Sequence, residues 1–241
     1  MKTWNRLERN LLVAFLLWSM AGFLFLILGI SPGTIVTWSL PEWLKSFIIF
    51  CLNTGDPTLI ILAFANTHLH AARQWPSAGA RRWGLYILIG SLGVETVGAC
   101  TGWPFGSYHY TGNFGPLLGV VPMTIPLAWY VVVTNSLFIV RAVLPHAPRW
   151  GEALLTGLLC TIYDFILEPF ATLIKHYWVW RDNAVPLQNY IAWFVLSGLL
   201  TWFFAPTASI RFRCDPRPVL ILVATLLIFL TGEAISGGPP N

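Results

Sequence analysis

The chain has 241 residues, of which 56% are hydrophobic and only 10% are charged. A soluble globular domain carries roughly 25% charged residues, so that class is excluded, and the high hydrophobic content also excludes a disordered chain. Four cysteines are too few for a disulfide scaffold of this length. The net charge of +4 comes from scattered Lys and Arg residues that form no basic stripe, so it does not indicate nucleic-acid binding. The composition predicts an all-α, polytopic membrane helix bundle.

Seven apolar stretches are each long enough, at about 20 residues, to cross the ~30 Å hydrocarbon core of a bilayer as a helix. The first follows Lys2, Arg6 and Arg9, as in a signal peptide, but its apolar run exceeds the roughly 7–15 residues of a cleavable segment. We therefore expect a retained helix, and because no repeat or linker is evident, residues 1–241 are expected to form one domain. The predicted spans lie near 11–30, 46–67, 83–102, 119–140, 151–174, 189–208 and 217–236.

Lysine and arginine residues are distributed unevenly between the two faces that seven helices define. Cytoplasmic loops of membrane proteins carry an excess of these residues. Eleven lie on the face of the N-terminus and three on the opposite face, which predicts a cytoplasmic N-terminus and an external C-terminus. The eleven are Lys2, Arg6, Arg9, Arg73, Arg81, Arg82, Arg141, Arg149, Arg211, Arg213 and Arg217, and the three are Lys45, Lys175 and Arg181.

Aromatic residues mark the ends of the predicted spans and one of the loops. Tryptophan is enriched at membrane interfaces, so eight tryptophans near span ends are interpreted as interfacial anchors. The loop of residues 103–118, WPFGSYHYTGNFGPLL, is turn-rich and uncharged but rich in aromatic residues and Leu. We expect a loop of this composition to fold back on the bundle as a cap that closes the outer mouth of a site. The eight tryptophans are Trp38, Trp43, Trp75, Trp83, Trp103, Trp150, Trp178 and Trp180.

Four carboxylates lie within the predicted spans, namely Asp56, Glu95, Asp164 and Glu168. An Asp at the centre of a membrane helix costs roughly 2.5–3.5 kcal/mol on insertion scales, so each of these residues is a candidate functional group. Helix rise places Glu95 and Asp164 within about 3 Å of one another in depth if their helices start level. The two side chains can therefore meet if the helices are neighbours.

Asp164 and Glu168 are four residues apart, so they share one face of a helix. Two neighbouring carboxyls in a low dielectric cannot both ionise cheaply, and one is expected to hold a proton at neutral pH. The alternative is that the acids pair with polar side chains and only pin helices together, and for Asp56 the two interpretations are evenly balanced. The spacing in DFILE also occurs in magnesium-dependent prenyltransferases, but a second acidic motif is missing, and no histidine or cysteine set predicts a metal site.

Several blocks between roughly residues 90 and 195 carry a recognisable pattern. They are ETVGACTGWPFGSYHY at 95–110, GVVPMTIPLAW at 119–129, DFILEP at 164–169, and WVW followed by PLQNYIAW within 178–193. Together these blocks resemble the integral-membrane carotenoid hydratase family. The chain departs from the family pattern in having Glu168-Pro169 where the pattern has Asp-Pro, and Asn-Ala-Val-Pro where it has Tyr-Gly-Val-Pro.

The resemblance implies addition of water, without a cofactor, to the terminal double bond of an acyclic carotenoid, giving a tertiary alcohol. It implies a lycopene-like or fifty-carbon substrate, residence in the cell membrane, and contact with other enzymes of carotenoid synthesis. In this scheme Glu95 donates the proton, Asp164 positions and deprotonates the water, and Glu168 completes the catalytic cluster. The expected substrate-binding residues are Asp56, Thr101, Phe105, Tyr108, Trp129, Tyr163, Asn189 and Trp193, of which the aromatic ones would stabilise a carbocation.

Three other functions are alternatives to hydration. A carotenoid cyclase or isomerase would use the same protonation but would quench the cation with an alkene. A retinal photoreceptor would need a Schiff-base lysine in the last span, and residues 217–236 contain none. A proton-coupled transporter also uses buried acids, but the inverted repeats that many transporters show are not evident here.

The predicted orientation is testable with reporter fusions after Pro76 and after Asn241. The excess of basic residues on the N-terminal face predicts that the two reporters lie on opposite sides of the membrane. Phosphatase and fluorescence reporters, which are active on different sides, measure this directly. Reporters on the same side would contradict the seven-span topology.

Overall fold

Long apolar helices dominate the computed structural model, which describes residues 5–207 and 215–236. Lys2, Arg211, Arg213 and Cys214 lie outside the described residues. The helices are α1 (Arg6–Ile27), α2 (Pro32–Val36), α3 (Glu42–Asn53), α4 (Gly55–Gln74), α5 (Ser77–Thr101), α6 (Thr124–Val143), α7 (Arg149–Pro169), α8 (Leu187–Phe204) and α9 (Arg217–Ser236). The strands are β1 (Tyr108–Tyr110), β2 (Leu117–Leu118), β3 (Val121–Pro122) and β4 (Trp178–Trp180), and a π-helical turn covers Phe170–Ile174.

The prediction of an all-α, polytopic membrane bundle is confirmed. Within the described ranges, six helices are long and apolar enough to cross a membrane, and the bent pair α3–α4 makes a seventh span if it is counted as one. The span expected as a single helix at 46–67 is wrong in that respect, because the chain bends by 59° between Asn53 and Gly55. Pro57 has no N–H to bond the preceding turn, so a continuous helix would lose a hydrogen bond here. The Trp18 indole donates to the Gly55 carbonyl at 2.9 Å and ties α1 to the break.

The boundaries of the other spans differ from the prediction by a few residues. At 119–140 the helix begins only at Thr124, because β2 and β3 form a short antiparallel hairpin before it. The last span, 217–236, coincides with α9. Gly119 and Pro122 in this segment belong to residue types that favour turns. The apolar run continues through them, so hydrophobicity alone predicts a span that starts at residue 119, although the backbone there is not helical.

α6 is the central helix of the bundle, and most of its residues are buried. It packs against α4, α5, α7 and α9, while α7 and α8 form the most extensive helix pair. The side chains that α6 projects to its neighbours therefore lie in the interior of the protein. Trp129, near the start of this helix, is one of the largest fully buried side chains.

Ion pairs and a hydrogen bond lie at one end of the bundle, where they involve the start of α1, the ends of α4 and α6, the start of α7 and the end of α8. Arg73, at the end of α4, lies 2.5 Å from Glu8, at the start of α1. Arg141, at the end of α6, pairs with Glu152 of α7 at 2.8 Å and donates to the carbonyl of Pro206, just after α8. These contacts agree with the alternation of loops that seven spans require, and the side of the membrane on which this end lies stays a prediction.

At the opposite end, the loop of residues 103–118 folds back onto the bundle, as its composition predicted. Phe105 and Phe114 are buried. The loop also contains β1, which pairs with β4 from the segment after α7. In this antiparallel ladder Tyr108 lies opposite Trp180, and Tyr110 lies opposite Trp178.

The tryptophans predicted as interfacial anchors divide into two sets. Trp38, Trp43, Trp103 and Trp150 are exposed on the protein surface, as an interfacial position requires. The interpretation is wrong for the other four, which are buried inside the protein. These are Trp75, Trp83, Trp178 and Trp180.

The docking of the loop on α5 depends on Gly98. A Cβ atom at this position would lie 2.6 Å from the Phe105 ring and 3.0 Å from the Tyr108 hydroxyl. We predict that Gly98→Ala lowers the free energy of unfolding by about 1–3 kcal/mol, because the aromatic side chains must shift. Denaturant unfolding in detergent measures the effect.

Gly93 on the same helix is the matched control, since a Cβ there meets nothing within 4 Å. Gly93→Ala should leave stability unchanged or raise it by up to about 1 kcal/mol, the helix preference of Ala over Gly. Equal losses in the two variants would contradict the proposed contact.

Candidate active site

The cavity between the helix bundle and the returning loop contains most of the residues predicted for the site. Its volume is about 70 Å³. The structure brings all three predicted catalytic carboxyls to this cavity, together with every predicted substrate-binding residue except Thr101. Those in its lining are Asp56, Glu95, Phe105, Tyr108, Trp129, Tyr163, Asp164, Glu168, Asn189 and Trp193.

Glu95 of α5 is surrounded by three hydrogen-bond donors. The hydroxyls of Tyr108 and Tyr110 lie 2.6 Å and 2.7 Å from its Oε2 atom. The indole Nε1 of Trp129 donates to its Oε1 atom at 2.8 Å. A carboxylate with three donors is stabilised in its charged form, although it is buried.

The two phenols of β1 keep their protons. Burial raises the pKa of Tyr108 above its ordinary value, and the nearby Glu95 raises it further. The pKa of Tyr110 is raised by the same two causes. Both hydroxyls are therefore available as donors to Glu95 over the whole physiological range of pH.

Asp164 and Glu168 lie on one face of α7, as the four-residue spacing predicted, and a single side chain joins them. The amide nitrogen of Asn189, on α8, lies 2.6 Å from Asp164 Oδ2 and 3.3 Å from Glu168 Oε1. The two carboxyls are thus within reach of one nitrogen atom. In a buried site of this kind, ionising both is costly, so the pair is suited to sharing one proton.

Glu168 receives two further donors from β4. The indole nitrogens of Trp178 and Trp180 lie 3.2 Å and 3.0 Å from its Oε2 atom. Residues two apart on a strand point to the same side, so the two indoles of β4 and the two phenols of β1 share one face of the ladder. This small sheet therefore presents donors to Glu95 from one strand and to Glu168 from the other.

The backbone after Glu168 is irregular. Pro169 ends the regular part of α7, and the next turn is a π-helix in which the Lys175 N–H bonds the Phe170 carbonyl at 3.0 Å. Pro cannot donate a backbone hydrogen bond, and π-helical turns are frequent at functional sites. The wide turn leads directly into the segment that carries β4.

Aromatic rings form much of the remaining wall. Trp129 and Trp193 stack with ring centroids 3.8 Å apart and planes within 4° of parallel. Phe105 contacts both Tyr108 and Trp129. The Tyr163 hydroxyl donates to Thr225 of α9 at 2.9 Å, which leaves its ring as cavity wall.

Asp56 and Thr101 are placed differently from the central carboxyls. Asp56 lines the cavity near the break between α3 and α4 and pairs with Lys175, whose Nζ atom lies 2.9 Å from Asp56 Oδ2. Thr101 is exposed, and its hydroxyl donates to the Val97 carbonyl of its own helix. The structure therefore does not bring Thr101 to the site.

Four contributors to the site were not predicted from the sequence. They are Tyr110, Trp178, Trp180 and Lys175, which bond or pair with carboxyls of the cavity. The Tyr-x-Tyr and Trp-x-Trp patterns have the spacing that places both aromatic side chains on one face of a strand, which is the signal that was available. Among the described residues, no group of three His, Cys, Asp or Glu side chains is arranged to hold a metal ion.

Comparison with known proteins identifies the class. The profile of a family described as "Carotenoid biosynthesis protein" matches residues 55–237, a range that includes all the carboxyls of the cavity and its capping loop. The chain belongs to this family. No solved structure matches it.

One curated relative is the protein named bisanhydrobacterioruberin hydratase from Haloarcula japonica (strain ATCC 49778 / DSM 6131 / JCM 7785 / NBRC 101032 / NCIMB 13157 / TR-1). The two chains are 34% identical over 164 residues, which is 62% of this chain and 55% of the relative. The chain thus spans about half the length of the curated relative it matches.

The charge of Glu95 can be tested by a double-mutant cycle with Tyr110. A hydrogen bond to a charged group contributes about 1.5–3 kcal/mol to stability, against about 0.5–1.5 for a neutral one. We predict that Tyr110→Phe lowers the free energy of unfolding by the larger amount in the wild type and by the smaller amount in the Glu95→Gln background. Equal losses in both backgrounds would show that Glu95 is neutral.

Proposed function

We propose that the protein hydrates the terminal double bond of an acyclic carotenoid to a tertiary alcohol. The observation that carries the proposal is the Asp164–Asn189–Glu168 arrangement inside a cavity walled by aromatic rings. Membership of the carotenoid biosynthesis family and similarity to a protein named as a hydratase support the same chemistry. We further propose that the reaction takes place in the cell membrane, where a lycopene-like or fifty-carbon substrate dissolves.

The contacts favour Asp164 as the proton donor, in place of Glu95. Within residues 5–207 and 215–236, Asn189 is the one side chain that donates a hydrogen bond to Asp164, whereas Glu95 accepts three. Fewer donors stabilise the charge of Asp164 less, so the proton shared by the α7 pair belongs on Asp164. Glu168, with three donors of its own, is then the carboxylate of the pair.

The reaction then needs only these two carboxyls and one water molecule. Asp164 transfers its proton to the less substituted carbon of the double bond, which breaks the π bond and leaves a tertiary carbocation. Water attacks the cation through its oxygen, and Glu168 accepts the proton that the bound water loses. Passage of this proton to Asp164 restores the pair, so that the net change is the addition of one water molecule.

The cation that forms in this sequence lies in surroundings suited to it. Rings of Trp129, Tyr163 and Trp193 line the cavity, and the faces of aromatic rings attract cations. We propose that Glu95, which accepts three hydrogen bonds, is ionised and adds a negative charge in the same cavity. Pre-oriented charges of this kind stabilise charge that develops in the transition state.

The test is to express the chain in cells that accumulate lycopene and to measure the molecular masses of the pigments by mass spectrometry. We predict an added water in the product of the wild type and a loss of about 10²–10⁴ in rate for Asp164→Asn, the usual contribution of a general acid. Asp182→Asn is the matched control, because Asp182 is an exposed loop residue. It should hydrate as the wild type does.

Other outcomes separate the alternatives. A product of unchanged mass with altered absorption would indicate a cyclase or isomerase, and carotenoid left unaltered by folded wild-type protein would favour a proton-coupled transporter. Near-normal hydration by Asp164→Asn, with the variant eluting as one species from a sizing column, would remove this residue from the mechanism. Loss of hydration in Glu95→Gln, with hydration retained in Asp164→Asn, would indicate that Glu95 is the proton donor.

A further inference from the structure

An apolar groove lies between α1 and α3, beside the acid-lined cavity. Its volume is about 310 Å³, more than four times the 70 Å³ of the cavity. Its walls are hydrocarbon and aromatic side chains, with Gly22 and Phe25 on α1 and Ile48 and Cys51 on α3. The chemistry above uses none of these residues.

The groove adjoins the cavity. Asp56, Leu59 and Ile228 line both spaces. The ion pair of Asp56 with Lys175 lies at this junction, with the charges 2.9 Å apart. A pair at this position marks the boundary between a hydrocarbon surface and the polar end of the cavity.

The outer wall of the groove is weakly packed. No residue of α3 is buried, and the 59° bend between α3 and α4 turns this helix away from the direction of α4. Segments with few buried apolar contacts open at low cost. A hydrophobic molecule in the surrounding lipid can therefore reach the groove by displacing α3, without unfolding the central helices.

We propose that this groove binds the polyene chain of the acyclic carotenoid and admits it from the lipid, so that only the end group reaches the carboxyls. The inference rests on the proposed function. A cavity needs about 10–15 Å³ to hold one water, so the acid cavity has room for a few waters and not for a long hydrocarbon chain. The chain must lie outside it, and the groove is an apolar space that adjoins it.

Gly22 lies in the wall of the groove and has room for a side chain to begin there. A Cβ at this position meets nothing within 4 Å, and the residue lies within α1. The phenyl ring in Gly22→Phe would occupy the space assigned to the polyene. The matched control is Gly93→Phe, because a Cβ at position 93 also meets nothing within 4 Å and the residue lies on an exposed position of α5.

Two quantities are measured in lycopene-accumulating cells: the hydrated fraction of the pigment, and the pigment that copurifies with each protein molecule. We expect Gly22→Phe to lower both roughly tenfold or more, because a poor steric fit in a hydrophobic pocket costs about 10- to 200-fold. Gly93→Phe should match the wild type in both. If Gly22→Phe does not fold, Ile48→Trp narrows the groove from the opposite wall and carries the same expectation.

The two readouts separate the groove from the chemistry. Wild-type protein that copurifies with pigment but adds no water would refute the hydratase function, while pigment lost on Gly22→Phe would still support the groove. Normal pigment and normal turnover in Gly22→Phe would overturn the groove and would favour a phospholipid acyl chain as its occupant. Equal losses in Gly22→Phe and Gly93→Phe would also overturn it, since the effect would not be specific to this space.

Discussion

The structure depends on the need of buried carboxyls for hydrogen-bond donors. Inside a membrane bundle there is little water to solvate an acid, and a charge left without partners is costly. The helices that carry Glu95 and Glu168 do not satisfy these groups by themselves. Four of the donors come from the ladder of β1 and β4, and this explains why two loops return to the interior of the protein. A sheet of three residues per strand is too small to be stable alone, so the carboxyls and the ladder stabilise one another.

This dependence also couples distant parts of the chain. Tyr108 and Trp180 are opposite one another in the ladder, so a shift of one strand changes the donors of Glu95 and Glu168 together. α5, α7 and α8 are thereby linked through their loops as well as through helix packing. A substitution on the lipid side of these helices is not expected to reach the carboxyls, whereas one at the contact of Gly98 with the loop is.

Hydrophobicity and charge were sufficient to predict the membrane bundle and to single out the carboxyls that the structure places in one cavity. Those residues are conspicuous because acids are rare in apolar helices. The ladder was not predictable in the same way. Residues 111–177 separate β1 from β4, and each strand is too short to show a strand period. The bend after Asn53 was missed for a related reason. Apolar residues continue on both sides of it, and only Gly55 and Pro57 interrupt the pattern. In the proposed mechanism, contacts from outside α7 also decide which of its two acids holds the proton, since Trp178 and Trp180 donate to Glu168.

The size of the acid cavity bears on the choice between hydration and its competitors. A carbocation formed in a dry pocket loses a proton again or is captured by a neighbouring alkene, whereas one formed beside a held water becomes an alcohol. A volume of about 70 Å³ admits a few waters, and the polar groups that line it are those able to hold them. Glu168 and Asn189 lie beside Asp164. In the proposed reaction, a water bound to them is therefore close to the carbon that loses its π electrons when Asp164 gives up its proton. Under this proposal the product of the reaction follows from where the water is held, and the acid strength of Asp164 matters only for the protonation step.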